Sequence, residues 1–166
     1  MEKTVFIFDD DADILTLCSI LLQQKGFTVH TASNCANIID KINEAKPHAI
    51  LMDNRIPDKG GIEATQLLKN NLSTKNIPVI FFSANTNVEQ LSQQAGADYF
   101  LQKPFDIDEM EELIVRITWV RNFTRYSKSA TISEIPVAIG RQILKALHKR
   151  NRNLTGVIKR QLSNGV

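Results

Sequence analysis

What most constrains this chain is the recurrence of short, apolar, β-rich runs separated by longer stretches of helical period. The runs lie near residues 4 to 8, 27 to 31, 48 to 52, 78 to 82 and 98 to 101. Between them the three-and-four spacing of apolar residues predicts helices near 13 to 25, 35 to 45, 61 to 71 and 87 to 95, with a fifth starting at Asp106. Strands that alternate with helices pair in parallel, because each helix is the crossover that brings the chain back to the same end of the sheet. An α/β fold of five parallel strands covered by helices is expected.

Local signals sharpen the helices. Ile14, Leu17, Cys18, Leu21 and Leu22 trace one buried face of the first, and Gly26 offers its stop. Thr86 with Glu89, and Asp106 with Glu109, have the spacing of a capping box and mark two helix starts. The fifth helix carries Met110, Leu113, Ile114 and Ile117 on one face, and no breaker intervenes before Tyr126.

The formal net charge of +2 conceals a division. Residues 1 to 120 hold 17 Asp and Glu against 10 Lys and Arg, whereas residues 121 to 166 hold 10 Lys and Arg against Glu134 alone. The expected organisation is one domain over 1–122 and a basic, helical extension over 123–166. No apolar run approaches the roughly 20 residues needed to span a bilayer. The start, Met1-Glu2-Lys3-Thr4, lacks the pattern of a secretory signal, so a cytoplasmic protein is expected. Cys18 and Cys35 stand in neither a Cys-x-x-Cys pair nor a metal-ligand spacing and read as small packed residues.

In an open parallel sheet ligands bind beyond the carboxyl ends of the strands, so the polar residue that ends each apolar run carries the information. The first run ends in Asp9, Asp10 and Asp11, the third in Asp53 and the fourth in Ser83, and the fifth is closely followed by Lys103. Carboxylates gathered by folding repel one another, and a hard divalent cation relieves them. Mg2+ suits such an oxygen-rich setting and also attracts phosphate oxygens. A carboxylate can itself attack phosphorus to give an acyl phosphate, with an ammonium and a hydroxyl neutralising the equatorial oxygens. Asp53 fits the acceptor, and Lys103 and Ser83 fit the two donors. Asp11 and Asp13 have the simpler use of favouring a helix N-terminus. His30, His48 and His148 show no ligand spacing, so the chain should receive phosphate without passing it on from a histidine.

Taken in order, Phe6-Ile7-Phe8-Asp9-Asp10, Ile50-Leu51-Met52-Asp53, Ile56-Pro57-Asp58-Lys59-Gly60-Gly61, Ile80-Phe81-Phe82-Ser83-Ala84, Ala95-Gly96-Ala97-Asp98 and Lys103-Pro104-Phe105 resemble the signature of response regulator receiver domains. The resemblance covers nearly all of residues 3 to 120. It implies a flavodoxin-like (βα)5, doubly wound sheet of strand order 2-1-3-4-5 and a phosphoryl group taken from a sensor histidine kinase or phosphotransfer protein. It also implies that Asp10, Asp53 and the Arg55 backbone carbonyl ligate Mg2+, with Asp9 acting mainly through water. Ser83 and Phe100 would form the switch, biasing the face of the fourth helix, fifth strand and fifth helix toward a downstream protein or self-association. Phe100 stands where many relatives carry Tyr, so it can pack inward but has no hydroxyl to offer. Arg55 and Asn85 read equally well as residues bordering the phosphate and as exposed loop residues. In the family the Lys-Pro bond is often cis.

The basic tail keeps two readings open. Ile135, Ile139, Ile143 and Leu147 recur four apart, and Leu154, Val157, Ile158 and Leu162 suggest a second short helix. About 40 residues is short for the usual DNA-binding output modules, which favours a solvated or self-associating extension. The alternative is a phosphorylation-controlled, DNA-binding transcriptional regulator that uses this tail.

Overall fold

The computed structural model describes residues 3–126. Five strands, β1 (Lys3–Phe8), β2 (Phe27–Ala32), β3 (Ala49–Asp53), β4 (Val79–Ser83) and β5 (Tyr99–Gln102), alternate with α1 (Ala12–Gln24), α2 (Ile38–Ala45), α3 (Gly60–Asn70), α4 (Val88–Ala95) and α5 (Ile107–Tyr126). All strand pairs are parallel. The order is β2-β1-β3-β4-β5, the flavodoxin-like order expected from the sequence. The chain first steps from β1 to β2 and then crosses back to β3, so the winding reverses between β1 and β3. Their carboxyl ends flank the crevice where ligands of such sheets bind.

Burial follows from this order. β3 and β4 are buried at every position, as strands covered on both faces must be, and their unbroken apolar sequence is the result. The edge strands β2 and β5 are only partly covered. Phe6, Phe8, Ile50, Met52, Val79 and Phe81 pack in one core with Ile38 and Ile42 of α2, Ala64 and Leu68 of α3, and Val88 and Ala95 of α4. The residues that flank Asp53 in space are thus immobilised from one side by three helices.

The chain divides into two units, residues 1–111 and 112–166, with α5 running from the first into the second. In the second, Ile114 and Ile117 are buried, and the Thr118 hydroxyl donates to the Ile114 carbonyl at 2.9 Å. The helices expected in the basic extension lie outside the described residues. Among those described, no helix is long and apolar enough to cross a membrane.

Several local expectations change. On α1 only Cys18 and Leu22 are fully buried, while Leu17 is 46% exposed. The expected stripe was broader than the arc of helix the sheet covers. Thr86 does not cap α4; the helix begins after Asn87, because the Asn85 side chain accepts from the Asn87 N–H at 2.9 Å and holds a turn there. An equivalent turn, with Asn34 accepting from the Ala36 N–H at 3.1 Å, delays α2 to Ile38. The other cap stands: Asp106 accepts from the Asp108 N–H at 2.9 Å. Both cysteines are buried and unpaired, and burial pushes each thiol up to about 11, which leaves them protonated and inert.

Candidate functional site

Asp9 follows the last residue of β1 and Asp53 ends β3, so two adjacent strands deliver two carboxylates to the winding reversal. Ligand oxygens of Asp9, Asp10 and Asp53 all lie within 4.8 Å of one another. Asp9 and Asp53 are buried, and Asp10 is exposed. Lys103, just after β5, reaches back across the strand ends. Its Nζ donates to Asp9 Oδ2 at 2.6 Å and to Asp53 Oδ1 at 2.7 Å. The four residues that the sequence assigned to this cluster are therefore together, drawn from positions as much as 94 residues apart.

Backbone groups fix the remaining oxygens. Asp9 Oδ1 accepts from the Asp11 N–H at 2.9 Å, and Asp53 Oδ2 accepts from the Arg55 N–H at 2.5 Å. Both carboxylates are thus oriented by the turn that follows them. Asp11 has the plain helix-capping use, accepting from the Asp13 N–H at 2.9 Å and the Ile14 N–H at 3.3 Å.

Burial raises the Asp9 pKa above the ordinary carboxylate value, outweighing the Lys103 hydrogen bond that acts the other way. For Lys103, burial works to lower the pKa, but the hydrogen bonds it donates to Asp53 and Asp9 overcome this and leave the ammonium held above its usual value. The pair is charged on one side and poorly solvated on the other. Among the described residues one ammonium bonds two of the three clustered acids, and that imbalance is what a divalent cation would correct. The donor set is all oxygen and partly open to solvent through Asp10, which fits Mg2+.

Ser83 ends β4, one residue past Phe82, the register partner of Asp53. It is 4% exposed, and its Oγ accepts from the Asn85 N–H at 3.1 Å. Its carbonyl accepts from the Lys103 N–H at 2.8 Å, so the hydroxyl and ammonium sides of the site share a backbone link. The Lys103-Pro104 bond is cis. Phe100 stands apart from the cluster, 42% exposed on β5 and in register with Phe81. Arg55 is exposed, and Asn85 has its carboxamide oxygen engaged with the Asn87 N–H.

Two features escaped the sequence reading. A Cβ on Gly61 would stand 2.1 Å from the Asp53 carbonyl oxygen, so only glycine lets α3 begin this close to the acceptor strand. The Gly61 N–H donates to the Asn54 carbonyl at 2.9 Å, locking that approach. The ring of Phe82 lies beneath the Lys103 ammonium, 4.3 Å from centroid to Nζ. In sequence, Phe82 is one apolar strand residue among several, and nothing distinguishes it.

The family model of the response regulator receiver domain matches residues 5–115. Among curated relatives, the CAI-1 autoinducer sensor kinase/phosphatase CqsS of Vibrio cholerae is 33% identical over 110 residues, 64% of this chain and 16% of that protein. The phosphate regulon transcriptional regulatory protein PhoB of Pseudomonas aeruginosa is 31% identical over 150 residues, 89% of this chain and 62% of that protein. The chain therefore spans less than two thirds of either relative. The receiver domain of sensor histidine kinase PA1611 from P. aeruginosa, solved with a magnesium ion in its active site cleft, superposes with a TM-score of 0.65 at 23% identity. That likeness covers 71% of this chain and 98% of the other, and it bears on the fold.

Proposed function

The chain belongs to the response regulator receiver family, and from that premise we propose that Asp53 accepts a phosphoryl group from the phosphohistidine of a sensor kinase or phosphotransfer protein, with Mg2+. The observation that carries this is the shared grip of Lys103 on Asp9 and Asp53 beside the exposed Asp10 carboxylate. One Asp53 oxygen forms the new P–O bond as the P–N bond to the donor imidazole breaks. The Arg55 N–H holds the second oxygen, so the carboxylate presents a fixed lone pair without a search over rotamers. The Lys103 ammonium, already donating to Asp53, turns to a phosphoryl oxygen as negative charge gathers there. The Ser83 hydroxyl, now accepting from Asn85, donates to another.

Asp10 and Asp53, with the Arg55 carbonyl, would hold the ion directly, and Asp9 through water. Asp9 already has both oxygens engaged, which supports that division of roles. When bound, the ion supplies charge neutralisation between the acceptor and the incoming phosphoryl oxygens.

Movement of Ser83 toward the phosphoryl group opens room behind it for the exposed Phe100 ring to turn inward. The surface of α4, β5 and the first turn of α5 then changes shape and signals to a downstream protein or a second copy. The test is incubation with acetyl phosphate and Mg2+, followed by intact mass. A Mg2+-dependent phosphate adduct is expected, absent from Asp53→Asn. An equal adduct on both proteins rejects Asp53 as acceptor.

A second reading concerns output. The matched relative PhoB is a transcriptional regulatory protein, and residues 121 to 166 are strongly basic. If they grip DNA, a duplex shifts at low salt, and neutralising Lys145, Lys149, Arg150 and Arg152 abolishes the shift. Absence of any shift at low salt excludes this output.

A further inference from the structure

We propose that Phe82 is a positioning residue for phosphoryl transfer: its ring is the third wall of the Lys103 socket and keeps the ammonium in place while its carboxylate partners change. The inference rests on the reading of Asp53 as acceptor and deepens it. An ammonium has three N–H donors. In this site two are spent on Asp9 Oδ2 and Asp53 Oδ1, at 2.6 and 2.7 Å, and the Phe82 ring centroid lies 4.3 Å from the same nitrogen. At that distance the negative face of the ring attracts the cation, and the attraction strengthens when water is excluded. Phe82 is wholly buried, and Phe105 meets it edge-on with centroids 6.2 Å apart and planes at 62°, so the ring cannot tilt freely.

The sheet itself does not call for an aromatic residue at this position. Phe81, the neighbour facing the other way, belongs to the core formed with α2, α3 and α4, and Val79 and Ile80 fill the strand with aliphatic groups. What distinguishes the two attractions on Lys103 is their fate during the reaction. The carboxylates of Asp9 and Asp53 are the groups that a divalent ion and a phosphoryl group would engage, and each engagement weakens their hold on the ammonium. The ring takes part in neither. Cation–π attraction is also broad in direction, so Nζ can swing from a carboxylate to a phosphoryl oxygen while staying over the same face. A leucine in its place would fill much of the volume and provide no negative surface.

The test uses the full chain with Phe82 replaced by mono-, di- and trifluorinated phenylalanine, which weakens the negative face stepwise at nearly constant shape, alongside Phe82→Leu. With saturating Mg2+ and acetyl phosphate, kcat/KM for adduct formation should fall monotonically along the series, by about 3- to 30-fold in total. A second readout needs no metal. In the metal-free wild type the ε-methylene protons of Lys103 should resonate upfield through the ring current of Phe82, and in Phe82→Leu they should return to the ordinary lysine position. Equal rates across the fluorinated series overturn the role of the ring alone, as does an ordinary Lys103 resonance in the wild type. Failure of the wild type to form any Asp53 adduct overturns the acceptor reading, and the positioning role of the ring in transfer with it.

Discussion

Two lysines with nearly the same coverage do opposite things in this molecule. The side chains of Lys69 and Lys103 are 16% and 18% exposed, and each is paired with acid. Lys69, in the last turn of α3, donates to the Ile77 carbonyl at 2.8 Å and to the Asp98 carboxylate. The same Asp98 oxygen accepts from the Val79 N–H at 2.8 Å. One cation, one anion and backbone groups thus close a circuit at the amino end of β4, and it has no use for a ligand. At the carboxyl ends of β1 and β3, the Lys103 ammonium pairs with two acids, and a third, Asp10, lies beside them. A half-buried, acid-paired lysine is therefore no sign of function by itself; unbalanced charge around it is.

The contrast can be broken most decisively by removing each lysine in turn. Lys103→Met should slow adduct formation by about 100- to 1000-fold, the usual loss when one donor to developing charge is deleted. Its loss of thermal stability should be largely recovered by Mg2+, because the ion takes over the orphaned acids. Gly61→Ala should destabilise the fold by about 1–3 kcal/mol, through a methyl group driven against the Asp53 backbone, and should also slow transfer. Denaturant melts combined with adduct kinetics read both effects. Lys69→Met should cost about 1 kcal/mol by leaving the Ile77 carbonyl and the partly exposed Asp98 without their cation. It should leave the transfer rate of the folded protein unchanged, and Mg2+ should not rescue it. A Lys69 variant restored by Mg2+ would erase the distinction between the two ends.

The smallest effect lies at the amino end as well. His48 accepts from the Thr4 N–H through Nδ1 at 3.1 Å, and its backbone N–H donates to the Thr4 carbonyl at 2.7 Å. Burial, and then the nearby Lys3 charge, lower its pKa from the ordinary 6.5. The folded state therefore binds fewer protons here than the unfolded chain does. The associated stability is complete above pH 6.5 and declines as pH falls toward the lowered folded value. Urea melts across that range should show a shallower pH slope in His48→Gln than in the wild type.

Much of this was legible in the sequence, for identifiable reasons. Alternation of apolar runs with helical period located all five strands to within one residue, most plainly β3 and β4, which are buried on both faces and apolar up to their last residue. Asp9, Asp10, Asp53 and Lys103 could be gathered on paper because each ends or closely follows such a run. The misses have one physical source, which is that periodicity describes a segment and not what covers it. Leu17 keeps the period and still faces outward, with Ile20 49% exposed beside it. Asn34 and Asn85 fold their side chains onto the backbone and delay two helices that spacing alone would start earlier. The closeness of Gly61 to Asp53 and the ring under Lys103 exist only once distant segments have met.

The backbone hydrogen bond between Lys103 and Ser83 ties the end of β4 to the residue that follows β5. The N–H of Lys103 donates to the Ser83 carbonyl at 2.8 Å, and among the described residues β5 pairs in the sheet with β4 alone. A shift of the Ser83 peptide would therefore pull on a strand that, among the described residues, is anchored along a single border. Were Ser83 to move as proposed, part of that displacement would be delivered outward to the rim of the sheet, because β1 and β3 are held on both borders.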